Sequence, residues 1–258
     1  MGILNVTPDS FSDGGDHYPA EAAIAAGLQM VADGADMLDT GGESTRPGAT
    51  PVSTAQEQGR ILPVVAALAG AGVPVSVDTR NAATMEAALD AGASVINDVS
   101  GLRHDPAATG VVARWRCGVI LMHMRGTPET MNSLASYADV VAEVAAELSA
   151  RVQAAVQGGV DPAMIAVDPG FGFAKKGQQN VELLRGLPAL AALGRPVVAG
   201  VSRKRFIGAL SGAADARARD AGSLAAGLAA LSRGASVLRV HDVAGTVQAI
   251  RVWQALHS

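Results

Sequence analysis

The chain of 258 residues contains a single cysteine, Cys117, and only 3% aromatic residues. One cysteine excludes an internal disulfide and a zinc site made of several thiolates, and it is typical of a reducing cytoplasm. We expect Cys117 to be a small buried residue ahead of a strand. Because aromatic side chains are so few, Ala, Val, Leu and Ile must fill the core, and such residues are typical of parallel strands buried on both faces.

Long apolar runs and an excess of positive charge are also lacking. The longest uncharged run, residues 61–77, is too short for a membrane helix and is interrupted by two prolines and two glycines. The N-terminus shows neither a signal peptide nor a myristoylation motif. The formal net charge is -4, with no basic stripe for nucleic acid. These features predict a cytoplasmic protein that binds neither membranes nor nucleic acid.

A repeated plan organises the chain. Short apolar runs end in a polar residue, and a helix-like stretch follows each of them; the polar residues are Asn5, Asp39, Asp78, Asn97, His123, Asp168, Ser202 and Arg239. Their average spacing, about 33 residues, is the size of a βα unit. Eight units in a chain of this length, without a linker, predict an α/β fold: a single (β/α)8 TIM barrel that forms one domain over residues 1–258.

The connections after the first two strands are long and polar. Residues 7–15 are rich in Ser, Asp and Gly, and residues 40–48 add small hydroxyl residues, glycines and Arg46. Backbone N–H groups and a guanidinium group suit an anion. For the second loop alone, a solvated turn is an equally good interpretation.

Other patterns are assigned mainly to structure. The residues Ile24, Leu28 and Val31 have helical spacing and predict the inner face of the first helix. His123 is expected to be a structural histidine, although a base or a ligand is the alternative. Asp98 is either a site residue or a helix cap. Three cations at residues 203–205 follow a strand, and we expect them to face the ligand space.

In a barrel of this kind the carboxyl ends of all strands surround one mouth, where active sites lie. The residues expected there fall into two chemical groups. Asp78, Asn97, Asp168 and Lys204 offer hydrogen bonds to a flat, donor-rich heterocycle, whereas Asn5, Thr45, Arg46, Arg239 and His241 suit a multiply charged anion. The sequence therefore predicts a ligand that combines a heterocycle with a phosphate or pyrophosphate.

Several motifs together resemble the bacterial dihydropteroate synthase family. They are MGILNVTPDSFSDGG (residues 1–15), GGESTRPG (41–48), NDVSG (97–101), DPGFGF (168–173), SRK (202–204) and RVH (239–241), in the family's order and over nearly the whole chain. One departure is that members of the family usually carry residues before the first strand that help to close the barrel floor. This N-terminal floor segment is expected to be absent here.

The resemblance implies condensation of 6-hydroxymethyl-7,8-dihydropterin pyrophosphate with 4-aminobenzoate, which yields 7,8-dihydropteroate and pyrophosphate for folate synthesis. It implies catalytic roles for Asp78, Asp168, Lys204 and Arg239, and an Mg²⁺ ion held with the help of Asn5. It assigns the substrates to Thr45, Arg46, Asp78, Asn97, Val99, Met122, Asp168, Phe173, Lys204, Arg239 and His241, and the 4-aminobenzoate pocket to Phe11, Pro47 and Ser202. It further implies a homodimer, and it implies that loops 7–15 and 44–48 close over pyrophosphate before 4-aminobenzoate binds.

Two other functions fit parts of the sequence. Pterin-binding barrels of corrinoid methyltransferases share the fold and the acidic and amide rim, but they hold no pyrophosphate, which Arg46, Arg239 and His241 would serve. A Schiff-base aldolase would use Lys204 as its nucleophile, with burial lowering the pKa of the amine. An aldolase function would leave the Ser-Thr-Arg loop, residues 44–46, without a role.

Overall fold

The computed structural model describes residues 1–7, 19–43 and 52–257, in which strands and helices alternate. The described strands are β1 (Gly2–Asn5), β2 (Leu38–Gly41), β3 (Val75–Asp78), β4 (Val95–Asp98), β5 (Gly118–Met122), β6 (Ile165–Asp168), β7 (Val198–Ala199) and β8 (Val237–Leu238). Each predicted strand is therefore present. The two last strands are shorter than the apolar runs that predicted them.

The helices follow the strands around the chain. They are α1 (Pro19–Ala32), α2 (Thr54–Gly70), α3 (Ala82–Asp90), α4 (Ala108–Trp115), α5 (Val140–Gln157), α6 (Gly177–Arg185), α7 (Leu187–Ala191), α8 (Arg205–Ser211), α9 (Asp220–Leu231) and α10 (Val243–His257).

All strand pairs are parallel, and the strands follow one another in sequence order. A sheet of β1 to β6 and a pair of β7 with β8 are joined at both ends by isolated bridges. At one junction the Val167 N–H donates to the Pro196 carbonyl at 2.9 Å, and at the other the Ile3 N–H donates to the Val240 carbonyl at 2.9 Å. The strands thus close on themselves, and the predicted (β/α)8 barrel is confirmed.

The first helix is present, and two of the three residues with helical spacing pack against the core. Ile24 and Val31 are partly buried there, whereas Leu28 is 43% exposed. The fully buried positions of α1 are Ala23 and Gly27. A β-carbon on Gly27 would lie 3.0 Å from Leu38 Cδ1 and 3.1 Å from Leu68 Cδ2. Hydrophobic spacing does not reveal this close contact, because glycine carries no hydrophobic signal in the sequence.

The two ends of the barrel differ. A cavity of about 540 Å³ lies at the N-terminal ends of the strands, where Pro74, Val95 and Gly118 contribute to its wall. The polar strand ends lie at the opposite mouth. Cys117, directly before β5, is buried as expected, and burial raises the pKa of its thiol to about 11. Within the described ranges, no helix is long and apolar enough to cross a membrane.

Candidate active site at the carboxyl ends of the strands

Four of the predicted strand ends lie side by side. Asn5 pairs with Gly41, Gly41 pairs with Asp78, and Asp78 pairs with Asn97 in the parallel register. Farther around the barrel Asp168 pairs with Met122. The register thus brings Asn5, Asp78 and Asn97, which are 92 residues apart in sequence at most, to one level of the mouth.

An ion-pair network centred on Asp39 joins β2 to β3, to β4 and to the end of β8. Asp39 is fully buried; its Oδ2 accepts from Arg239 Nε at 2.6 Å and from Asn97 Nδ2 at 3.0 Å, and its Oδ1 accepts from Ser76 Oγ at 2.6 Å. Arg239 also donates from Nη2 to Asp78 Oδ2 at 3.1 Å. Sequence reasoning placed Asp39 at a strand end but gave it no part in the site. In the structure Asp39 orients two of the predicted site groups, the Asn97 amide and the Arg239 guanidinium.

The surroundings of Asp78 bring the pKa of its carboxyl to about 7, so neighbouring groups decide whether it is ionised. Burial raises the pKa of this carboxyl to about 7, against the lowering effect of Arg239 and with further raising by Asp39 and Asp98. The side chain nevertheless keeps 15% exposure. A ligand that donates a hydrogen bond to Asp78 would favour the ionised form.

Asp168 ends β6 and begins a tightly held turn. Its Oδ1 accepts from the Gly170 N–H at 2.7 Å, and burial raises the pKa of the carboxyl while that bond, Lys204 and Arg239 lower it. Gly170 has φ +70°, and a β-carbon there would lie 2.0 Å from the His123 carbonyl oxygen. Only glycine fits at this position, which explains the Pro-Gly sequence after the strand end.

Of the three consecutive cations at residues 203–205, Lys204 is the one held at the mouth. Lys204 Nζ lies 4.4 Å from the centre of the Phe173 ring, within cation–π distance. Arg203 instead forms a bidentate pair with Asp220, at 2.6 and 2.8 Å, and Arg205 is exposed in α8. The expectation that these cations face the ligand space is not met by Arg203, which Asp220 holds, and it stays a prediction for Arg205. Consecutive residues entering a helix point in different directions.

An apolar surface lies beside these charges. Val99, Met122 and Met124 pack with Met131 and Ala174, and Phe173 lies against this cluster. Val99, Met122 and Phe173 were predicted as substrate contacts. Together they provide a flat apolar patch next to acids and amides, an arrangement that suits a planar heterocycle with a polar edge.

Ser202 and His241 form a local unit on the side of β7 and β8. The Ser202 hydroxyl accepts from the His241 backbone N–H at 3.2 Å and lies 2.9 Å from His241 Nδ1. The Ser202 hydroxyl therefore contacts both the backbone and the imidazole ring of His241. Ser202 is buried, so its contribution to a 4-aminobenzoate pocket stays a prediction.

Beneath the Asp168 turn lies a second polar cluster. Lys175 and His123 are both buried, and Lys175 Nζ lies 2.9 Å from His123 Nδ1. His123 Nε2 lies 3.0 Å from Glu147 Oε2 on α5. His123 thus has a structural place, as expected. Lys175 and Glu147 were not selected from the sequence, because their partners lie 52 and 24 residues away and no local motif marks them.

Asp98 caps a turn and not a helix. Its two carboxylate oxygens accept from the backbone N–H groups of Ser100 at 2.7 Å and Leu102 at 3.0 Å, whereas α4 begins only at Ala108. Among the predicted site residues, Phe11, Thr45, Arg46 and Pro47 lie outside the described residues.

A magnesium ion fits the donor chemistry of the mouth. Asn5 is half-buried at the end of β1, and its amide oxygen is the type of donor that Mg²⁺ accepts. The described residues contain no cluster of three or more His, Cys, Asp and Glu side chains suited to a metal. A magnesium ion at Asn5 would therefore depend on oxygens of a ligand and of water.

Comparison with known proteins places this arrangement in a family. The family described as pterin binding enzyme matches residues 1–241. A protein named dihydropteroate synthase from Neisseria meningitidis serogroup C is 49% identical over 259 aligned residues, covering 99% of this chain and 92% of its own length. A dihydropteroate synthase structure from Xanthomonas albilineans with 4-aminobenzoic acid has a TM-score of 0.95 at 52% identity, covering 100% of this chain and 92% of its own.

The Xanthomonas albilineans enzyme in complex with 7,8-dihydropteroate is also similar, with a TM-score of 0.92, 49% identity, and coverage of 100% of this chain and 93% of its own. This chain belongs to the dihydropteroate synthase family of pterin-binding enzymes.

Proposed function

We propose that this protein is a dihydropteroate synthase that joins 6-hydroxymethyl-7,8-dihydropterin pyrophosphate to 4-aminobenzoate. The observation that carries the proposal is the placement of Asp168, Asn97 and Asp78 around one barrel mouth, beside the apolar patch of Val99, Met122 and Phe173. A pterin has a polar edge and a flat apolar face, and this mouth offers a partner to each.

Asp168 accepts hydrogen bonds from the 2-amino group and N3–H of the pterin, because an ionised carboxylate has two acceptor oxygens and no donor. Asn97 and Asp78 complete the rim. Lys204 donates to pterin acceptors from its position beside Phe173, and Arg239 lies between the rim acids, where its guanidinium can contact the ring and an anion.

The reaction needs no nucleophile from the protein. The bond between the pterin methylene carbon and oxygen breaks, and its electron pair leaves with pyrophosphate. The amine nitrogen of 4-aminobenzoate forms the new bond to that carbon and then loses a proton. Conjugation with the pterin ring spreads positive charge from the methylene, and the acids around the ring stabilise this charge.

The anion side of the site is assigned to His241 and Arg239, together with Thr45 and Arg46. Ser202 holds the His241 ring through Nδ1, and His241 donates to a pyrophosphate oxygen from its other ring nitrogen. Asn5 would hold Mg²⁺ at the end of β1. Such an ion, when bound, neutralises charge that develops on pyrophosphate as the C–O bond breaks.

Three further properties belong to the proposal. The enzyme works in the cytoplasm, as its single cysteine favours. It is a homodimer, and residues 1–258 act as one domain. Phe11, Pro47 and Ser202 contact 4-aminobenzoate.

The proposal is tested by release of pyrophosphate from 6-hydroxymethyl-7,8-dihydropterin pyrophosphate, with and without 4-aminobenzoate. We expect release to depend strongly on 4-aminobenzoate and to match the formation of 7,8-dihydropteroate. Pterin binding without any release would support the corrinoid-type binding module instead. Trapping of Lys204 on a carbonyl substrate with borohydride would support an aldolase.

Lys204→Met should weaken pterin binding by about tenfold or more, because a charge-assisted hydrogen bond is worth roughly 1.5–3 kcal/mol. The matched control is Arg205→Met, which removes the adjacent but exposed cation. Calorimetric titration with 6-hydroxymethylpterin measures both. Equal losses in the two variants would mean that net positive charge, and not the placement of Lys204, attracts the ligand.

A further inference from the structure

We propose that Lys175, which contacts His123 and through it Glu147, is a positioning residue that fixes the turn after β6 and thereby aligns Asp168 and Lys204 for the pterin. This inference rests on the proposed synthase function. Lys175 is not itself a pterin contact. It acts on the backbone of residues 170–173, which positions the pterin-binding side chains.

The Lys175 ammonium group binds the turn from below. Its Nζ donates to the carbonyl oxygens of Phe173 at 2.9 Å and Gly170 at 3.2 Å, with the His123 carbonyl farther away at 3.5 Å. The Phe173 N–H also donates to the Gly170 carbonyl at 3.0 Å. Both ends of the short segment 170–173 are therefore tied to one buried cation.

Two pterin-binding groups depend on that segment. The Gly170 N–H donates to Asp168 Oδ1, so the position of Gly170 sets the orientation of the carboxylate. Phe173 lies under Lys204 Nζ, and a β-carbon on Gly172 would lie 3.4 Å from Lys204 Cδ. A shift of the turn would therefore move together an acid at the end of β6 and a cation at the start of α8.

The three closest atoms around Lys175 Nζ match its ammonium form. They are the Phe173 carbonyl oxygen and His123 Nδ1, both at 2.9 Å, and the Gly170 carbonyl oxygen at 3.2 Å, and a lysine ammonium supplies three donors and no acceptor. His123 Nε2 faces Glu147 Oε2, which requires the proton of the neutral ring to lie on Nε2 and leaves Nδ1 as an acceptor. Burial, and then Lys175, lower the pKa of His123, in agreement with a neutral ring.

Charged groups face Lys175 from several elements. Burial lowers the pKa of Lys175 to about 7, against the raising effects of Asp168 after β6 and Glu147 on α5, and with lowering by Arg125 and Lys204. His123 follows β5. Since the ammonium form makes the contacts described above, we expect pterin affinity to fall as the pH rises through the pKa of Lys175.

The test uses calorimetric titration of 6-hydroxymethylpterin into the whole enzyme between pH 6 and pH 9. At pH 6 we expect Lys175→Met to weaken binding by about tenfold. The ratio of wild-type to variant affinity should fall as the pH rises, because the wild type loses its ammonium and the variant has none. This ratio removes the titration of the ligand and of Asp78, which both proteins share.

A second variant avoids the buried core. Glu147→Gln, on a side chain that is 37% exposed, should shift the midpoint of that pH dependence to lower pH. The matched control is Glu143→Gln. Glu143 also accepts a hydrogen bond from Arg125 Nη2, at 2.8 Å, but its described contacts do not include His123. We expect the control to keep the wild-type midpoint.

The outcomes separate this inference from the proposed function. An affinity ratio that is constant with pH, or equal midpoints in Glu147→Gln and wild type, would overturn the role of Lys175 while pterin binding by the wild type stands. Absence of pterin binding by the wild type would overturn both.

Discussion

Asp168→Asn is expected to weaken binding of 6-hydroxymethylpterin by at least about tenfold while leaving the barrel folded. The amide offers one acceptor and one donor where the carboxylate offers two acceptors, so an N–H group of the side chain would face a donor edge of the pterin. Loss of a charge-assisted hydrogen bond, at roughly 1.5–3 kcal/mol, corresponds to about one to two powers of ten in affinity.

The stability of Asp168→Asn should not fall with its pterin affinity. Burial raises the pKa of Asp168, which means that the folded state disfavours the ionised carboxylate. Replacing it with a neutral amide removes this cost, and the amide oxygen can still accept from the Gly170 N–H. We therefore expect an unchanged or slightly higher melting temperature together with the loss of affinity.

Asp98→Asn is the matched control, since Asp98 is also a buried acid at a strand end. Its carboxylate caps the backbone N–H groups of Ser100 and Leu102. We expect this variant to lose stability and to retain most of its pterin affinity. If both variants lost affinity equally, Asp168 would be acting through the fold, and its assignment as a pterin contact would fail.

The contrast between Asp98 and Asp168 shows what sequence patterns predict well. An apolar run that ends in a polar residue predicts a buried strand and the barrel mouth at which it ends, as β3, β4 and β6 confirm. The pattern does not tell a cap from a ligand-facing acid. Both carboxylates accept from the N–H group two residues later in their own loop. They differ because the second oxygen of Asp98 accepts from the Leu102 N–H, whereas Asp168 has the cations Lys204 and Arg239 nearby.

The partners of residues that act through contacts distant in sequence are also not predicted, because no local pattern marks them. Arg239 meets Asp39 and Asp78 across 200 and 161 residues, and Lys175 meets His123 across 52. Arg239 was predicted as an anion contact from its strand, but its carboxylate partners in the folded chain were not. Closure of the barrel brings β8 next to β1, and only that closure creates the pair with Asp39.

The Asp39–Arg239 pair should show strong coupling in a double-mutant cycle. Arg239→Met leaves Asp39 fully buried and without its cation, and breaking a buried pair in this way costs about 3–5 kcal/mol in the free energy of unfolding. Asp39→Asn removes one of the two carboxylates that hold Arg239, while Asp78 remains at 3.1 Å. Combining the two substitutions removes both charges, and neither is then left buried alone.

We therefore expect the double variant to be destabilised by less than the sum of the single variants, by about 2 kcal/mol in urea unfolding. The exposed pair Arg114–Glu86, at 2.9 Å, is the control, and its cycle should give a coupling of about 0–1 kcal/mol. Affinity for 6-hydroxymethylpterin should stay low in the double variant, because restored stability does not return the guanidinium to the mouth. Recovery of pterin affinity along with stability would mean that Arg239 serves only as a counter-ion to Asp39.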